Sequence, residues 1–329
     1  MPPMGAKRQF LRRLPGVLKR VQSEATDPVD LYFTYRLLLE RLPDDEGWRG
    51  WSPKLGEGGM SRRQLVWSFL TSLEFRRKFS MRETERVELD GFAMFVDRAD
   101  HAVSSAIINS HSYEPHVTRA IEAALKPDSV FLDVGASIGW FLLLAAARSP
   151  NGKAIGIEPN HNNLQLVYRS VAENGFQNVT VFPYAATEKR ALLQLGYDAA
   201  YGFVHGLEEK SDDPFVQGVP VDELVANEPR IDIIKMDIEG HEPVAFRGMQ
   251  ATIAKHRPLL FTEFHPQLMR KHAGQDAGEY FNALQRAGYA VSALLDDGTQ
   301  LPQASAATVL ELWRSINEES HLDLIARPV

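Results

Sequence analysis

Between Pro28 and Phe79, apolar residues recur at three- and four-residue intervals, with Leu31, Tyr35, Leu38 and Leu39 forming one stripe and Leu65, Phe69 and Leu73 another. That spacing places each set on one helix face, so the segment reads as short helices packed stripe to stripe. Pro43 to Gly47 and Gly56, Gly58 and Gly59 interrupt it as turns. The acidic turn Asp44-Asp45-Glu46 lacks the alternating ligands and distal Glu of a calcium loop, and reads as an interhelical turn. After Met81 the period changes. Val87 to Val96 alternates about Asp90-Gly91 as a hairpin. Strand-length apolar runs then alternate with helical ones: strands at Val130–Asp133, Lys153–Glu158, Val179–Tyr184, Ile231–Asp237 and Leu259–Phe264, and helices at Trp140–Arg148, His161–Asn174, Pro243–Lys255 and Gly278–Arg286. This order predicts an α/β fold with a parallel, doubly wound sheet behind a small all-α domain. Gly196 to Gly218, with Tyr197, Tyr201, Phe203, His205 and Phe215, reads as an aromatic-rich loop that could stack on a sugar ring.

The length, 329 residues, agrees with two domains, and the texture divides the chain into a basic segment 1–27, a helical domain 28–80 and a larger domain 86–329. A net charge of −7 argues against nucleic acid as a partner, because backbone phosphates are bound by clustered Lys and Arg. The absence of cysteine excludes disulfides, thiolate nucleophiles and Cys-ligated metals, and fits a cytoplasmic protein. No apolar run reaches the ~20 residues that span a bilayer. The first segment interleaves Lys7, Arg8, Arg12, Arg13, Lys19 and Arg20 with Phe10, Leu11, Leu14, Val17 and Leu18, without the continuous apolar stretch of a secretion signal. It reads either as a solvated tail or as a basic amphipathic contact with an anionic membrane surface.

Candidate chemistry begins at Val130-Phe-Leu-Asp-Val-Gly-Ala-Ser-Ile-Gly-Trp140, where a buried strand enters a glycine turn and then a helix. Ligands of open parallel sheets lie at the strands' carboxyl ends, so the loop Asp133 to Gly139 faces a nucleotide-like molecule, and Glu158, at the end of the next strand, offers a carboxylate to ribose hydroxyls. The loop departs from the three-glycine dinucleotide fingerprint, and Asp133 would repel a pyrophosphate but attract a cationic aminoacyl sulfonium. S-adenosylmethionine fits it better than NAD.

From about Val87 onward the chain resembles the FkbM-type methyltransferase family, through "YEPHVTRAIEAALKPDSVFLDVGASIGW", "AIGIEPNHNNLQLVYRSVAENGFQNVTVFPYA", "VPVDEL", "IDIIKMDIEGHEPVAFRGM" and "LLFTEFHP". The resemblance implies a Rossmann-like class I methyltransferase sheet of seven strands. It further implies that Asp133, Gly135, Ala136, Ser137 and Gly139 surround the methionine part of S-adenosylmethionine, with Glu158 on the ribose and Glu114 also facing the cofactor. Ser137 stands where the family usually has Asn. The earlier stretch, "YRLLLERLPDDEGWRGW" through "FLTSLEF", resembles a small helical domain of unknown function from bacterial surface-polysaccharide proteins, which implies a docking role and a protein partner.

At the reacting end, Lys235-Met-Asp237-Ile-Glu239-Gly240-His241-Glu242 places carboxylates and an imidazole at the mouth of the sheet. An acceptor hydroxyl is a poor nucleophile while protonated, so a positioned base or metal would help. Asp237 and Glu239 match the family motif. His241 has two readings, a general base with an ordinary pKa near working pH or a residue that shapes the acceptor pocket. Glu263 and His265 line the same crevice and match the family's "EFHP". Residue types alone also admit a divalent metal on Asp237, Glu239 and His265. The expected activity is methyl transfer from S-adenosylmethionine to a saccharide or glycan hydroxyl, with a secondary-metabolite hydroxyl as the alternative acceptor. A non-catalytic scaffold is the remaining reading, weakened because Asp133, Gly135, Gly139 and Glu158 are all intact.

Overall fold

The structure is a computed structural model that describes residues 26–39, 41–56, 58–70, 72, 84–198, 201–206, 213–316 and 320–329. The basic segment up to residue 25 and the stripe residue Leu73 lie outside the described residues. The chain divides into two compact units, Met1–Arg82 and Glu83–Val329.

In the first unit, helix α1 (Pro28–Leu38) starts at Asp27, whose side chain accepts from the N–H groups of Val29 and Asp30, while Asp30 accepts from the Asp27 N–H. This reciprocal cap satisfies donors that a first helical turn otherwise leaves unpaired. The unit continues through α2 (Asp45–Trp51) and α3 (Arg62–Leu70). Leu31, Tyr35, Leu39, Leu65 and Phe69 form one buried cluster, so the two stripes do pack together. Arg62 of α3 donates to Asp30 of α1 at 3.1 Å.

The second unit opens with the hairpin β1 (Thr84–Leu89) and β2 (Phe92–Asp97), turning at Asp90-Gly91. Helices α4 (Val103–Ser110) and α5 (Pro115–Ala124) lead into β3 (Val130–Val134), α6 (Trp140–Arg148), β4 (Lys153–Ile157), α7 (His161–Asn174) and β5 (Val179–Phe182). A small sheet follows, of β6 (Ala185–Ala186), β7 (Ala191–Asp198), β8 (Tyr201–His205) and β9 (Phe215–Val219). The chain then runs through β10 (Ile233–Met236), α8 (Glu242–Arg247), α9 (Gln250–His256), β11 (Leu259–Phe264), α10 (Pro266–Ala273) and α11 (Ala277–Arg286). It ends with β12 (Tyr289–Leu294), β13 (Gln300–Gln303), α12 (Ala306–Ile316) and β14 (Leu322–Pro328).

The large sheet has the order β13-β12-β14-β11-β10-β3-β4-β5, parallel from β11 through β5, with β14 antiparallel between β11 and β12. The two-residue period of a strand sends Leu132, Val134, Ile155 and Ile234 into one core and Phe131, Ala154, Ile233 and Phe261 into the other. Both faces are therefore covered, which explains the continuous apolar runs of these strands. From β3 the chain steps outward to β4 and β5, and later returns to the other side of β3 as β10. Ligands of doubly wound sheets bind at the carboxyl ends beside such a reversal.

Two sequence readings change. The stretch Gly196 to Gly218 is mainly sheet, with β7 pairing antiparallel to both β8 and β9. Residues 199–200 and 207–212 lie outside the described residues. Gly196 is a strand glycine, not a loop signal. A Cβ there would press on the rings of Phe203 and His205, so its absence lets these aromatics lie against β7. The helix predicted over Pro243–Lys255 is two helices, α8 and α9. The break falls at Gly248, where any side chain would collide with the Thr187 carbonyl.

Candidate active site

One backbone contact draws together the loops beyond the carboxyl ends of β3 and β10, where the site lies. Gly135, at φ +90°, brings the loop after β3 so near β10 that a Cβ would collide with the Asp237 carbonyl oxygen. Gly139, at φ +95°, begins α6, and a Cβ there would crowd Val167. The two glycines thus permit close approach of the protein to itself and a left-handed backbone that other residues adopt at a cost. Between them Ala136 is buried, and its N–H, like that of Gly135, donates to the Ile157 carbonyl. Ser137 also adopts a left-handed conformation, φ 48°. Asn tolerates that region more readily than Ser, so the serine here holds the turn at a higher backbone cost than the Asn expected from the resemblance would.

The Ser137 N–H donates to Glu158 Oε2 at 2.8 Å, and the Asn160 N–H donates to Oε1 at 2.8 Å. Burial pushes the Glu158 carboxyl up to about 7, against these bonds that favour the charged form. The Asn163 side-chain amide also donates to Oε1, at 3.4 Å, so of the carboxylate's about four acceptor sites one remains for a ligand.

Next to the loop, buried charge collects around a residue outside the predicted set. Lys235 is 5% exposed on β10, in register with Asp133 of β3. Its Nζ donates to Asp237 Oδ2 at 2.7 Å, stands 3.7 Å from Glu114 Oε2 and lies 4.4 Å from the centre of the Phe141 ring. Burial would lower the Lys235 pKa, but Asp237, Glu114 and Asp133 outweigh it and hold the ammonium above its ordinary value. Burial likewise opposes charge on Asp237, and Lys235 overrides it, leaving that carboxyl below its usual range. Asp133 is pushed up to about 7 by burial, and Glu114, the left-handed residue that starts α5, is raised for the same reason. A lysine inside an otherwise apolar buried strand, Ile-Ile-Lys-Met, was the available signal for Lys235.

Beyond Asp237 the chain turns through Glu239 (φ 56°) and Gly240 (φ +93°) into α8. Burial, then the charges of Asp237 and Glu242, push Glu239 up to about 8. Glu242 is 0% exposed, and its Oε1 accepts from the N–H groups of Ile238 and Gly240. His241 and His265 are both held down at about 4, chiefly by burial, so both imidazoles are neutral at pH 7. The ordinary pKa behind the general-base reading of His241 does not apply at this site. The His272 ring stacks on Phe203 of β8 at 4.2 Å, and its Nδ1 lies 2.7 Å from the Glu239 carbonyl oxygen. Glu263, on β11, is raised well above the usual carboxylate range by burial and by Asp237, Glu242 and Glu239.

Among the described residues, eight buried side-chain polar atoms lack a hydrogen-bond partner, and seven belong to this region: Glu114, Asp133, His241, Glu242, Glu263, His265 and His272. Buried polar groups are nearly always paired, so such a concentration marks a surface built for a polar guest. The Asp133 oxygen and the Glu114 oxygen, which has no hydrogen bond although it faces the Lys235 ammonium, suit a cationic group, and Glu158 suits hydroxyls. The donor set therefore fits S-adenosylmethionine. The acidic oxygens that gather closely are those of Asp237, Glu242 and Glu263, within 4.8 Å of one another, whereas the metal set read from sequence was Asp237, Glu239 and His265.

No helix among the described residues is long and apolar enough to cross a membrane. A family model described as "Domain of unknown function (DUF4214)" matches residues 20–79. No curated protein matches the chain. Among solved structures, the chain is similar to a methyltransferase FkbM from Methylobacillus flagellatus KT, with 16% identity, a TM-score of 0.40, and coverage of 89% of this chain and 58% of that one. It is also similar to a precorrin-6y C5,15-methyltransferase from Geobacter metallireducens GS-15 (13% identity, TM-score 0.39, 71% of this chain and 97% of that chain). An rRNA methylase from Streptococcus thermophilus is similar at 11% identity and a TM-score of 0.38, over 65% of this chain and 95% of that one. The model of the methyltransferase FkbM domain matches residues 133–291, a span that begins at Asp133 and holds Glu158, Lys235, Asp237, Glu239, Glu263 and His265. Residues 133–291 are a methyltransferase FkbM domain.

Proposed function

We propose that the chain transfers a methyl group from S-adenosylmethionine to a hydroxyl of a saccharide. The observation that carries this reading is the ring of buried carboxylates, Glu114, Asp133 and Asp237, around the single ammonium of Lys235 at the β3–β10 crevice. Asp133 and Glu114 hold the cationic aminoacyl end, and Glu158 receives the ribose hydroxyls. S-adenosylmethionine supplies an electrophilic methyl on a positively charged sulfur. The remaining task is to place an acceptor oxygen in line with it and take up its proton. Asp237 orients the acceptor, and Glu239, held near neutrality, accepts the proton. The Phe203–His272 stack beside Glu239 offers a flat apolar wall of the kind that sugar rings pack against.

Calorimetry separates the cofactor reading from NAD: S-adenosylmethionine and S-adenosylhomocysteine should bind and NAD should not. Glu158→Ala should weaken S-adenosylhomocysteine at least about tenfold, since a hydrogen bond to a charged group is worth about 1.5–3 kcal/mol. Unchanged affinity would remove the ribose assignment. Transfer of labelled methyl to a panel of saccharides, compared with phenolic and aliphatic alcohols, tests the acceptor class.

A further inference from the structure

We propose that Asp237, Glu242 and Glu263 form a binding site for one divalent cation of the Mg2+ or Mn2+ class, on the acceptor side of the crevice. Three separate elements bring the carboxylates together: the end of β10, the first turn of α8, and β11. One oxygen from each lies within 4.8 Å of the others. Ligands around a hard cation sit at about 2.0–2.6 Å from it, so any two of them are about 3–5 Å apart. The observed spacing meets that condition.

The second observation is independent of the clustering. Glu242 Oε2 and Glu263 Oε2 are buried and have no hydrogen-bond partner, on residues 0% and 7% exposed. The donors nearby are used elsewhere. Those on Ile238 and Gly240 bond Glu242 Oε1, the ammonium of Lys235 bonds Asp237 Oδ2, and His321 Nδ1 stands 3.5 Å from Glu263 Oε1. Asp237 keeps its other oxygen. An all-oxygen set without sulfur or imidazole selects hard ions over zinc or copper. The role, holding an acceptor oxygen, rests on the methyltransferase reading, whereas the existence of the site does not.

The test uses the full chain stripped with EDTA and Mn2+ alone as the probe, followed by electron paramagnetic resonance and by thermal unfolding. Wild type should bind one Mn2+ and unfold at a higher temperature with it, because a ligand that binds the native state alone stabilises it by an amount that grows with the logarithm of ligand concentration above Kd. Glu263→Gln and Glu242→Gln should each weaken Mn2+ at least tenfold and lose the thermal shift. In EDTA, Glu263→Gln should unfold no lower than wild type, since glutamine matches the shape of a carboxyl that burial already holds toward its neutral form; this shows that lost binding is not lost folding. Absence of stoichiometric Mn2+ binding by wild type at millimolar ion, or equal binding by both variants, overturns the proposal. S-adenosylhomocysteine calorimetry in EDTA separates the two readings: binding there with no Mn2+ site overturns only the cation, and Mn2+ binding without it overturns only the cofactor.

Discussion

Lys235→Met should cost the protein about 3–5 kcal/mol, the scale for removing one partner of a buried ion pair and leaving the other uncompensated. Methionine retains the volume and apolar contact with Phe141 but strands Asp237 and Glu114 beside a lost ammonium. Urea unfolding at several pH values checks both size and sign. In wild type the lowered Asp237 carboxyl contributes stability that is present above its unfolded pKa of about 3.9 and is lost as pH falls through the folded value. The variant lacks that contribution, so its deficit should be largest at pH 7 and shrink on acidification. A deficit that is flat with pH would show that Lys235 contributes packing alone.

The second large effect belongs to turnover. Asp237→Asn should lower the rate by about 10²–10⁴-fold, the scale of a positioned acid–base group, and leave S-adenosylhomocysteine affinity within about threefold. If Asp237 instead contacts the cofactor amine, affinity and rate will fall together. The pH–rate profile gives a further discriminator. Glu239 serves as a base only when ionised, so the rate should rise with pH toward about 8. His241→Ala should leave that limb in place, because an imidazole held at about 4 does not titrate there. Movement of the limb in His241→Ala would restore the histidine as the base.

The reach of the sequence differs between elements for identifiable reasons. Strands β3, β4, β10 and β11 announce themselves because both faces are buried, and the Asp133–Gly139 loop because positive φ angles require glycine. Asp133, Glu158, Asp237 and Glu263 are legible as residues at strand ends. Lys235 is legible only as a charge inside an apolar strand, since its meaning lies in three carboxylates drawn from β3, the end of β10 and the start of α5. The same holds for the burial of Glu242, which the sequence places at the mouth of the sheet with Asp237 and Glu239 but not inside the protein. Its burial follows from the tight Glu239-Gly240 turn, where a Gly240 side chain would collide with the Leu268 backbone of α10. The β7–β8 hairpin was hidden by Gly196, a turn signal whose strand role depends on rings from the partner strand.

Strand β14 has a consequence for the order in which this unit can assemble. It lies between β11 and β12, and carries Asp323 opposite Glu263. Until residue 328 has left the ribosome, β12 and β13 have no neighbour that joins them to the rest of the sheet, and β11 has an open edge. An unpaired edge beside an exposed apolar face is a template for pairing with other chains. A nascent chain that has exposed β11 to β13 but not yet Leu322–Pro328 therefore carries an open sheet edge and an aggregation hazard, and the large sheet closes only once β14 has emerged.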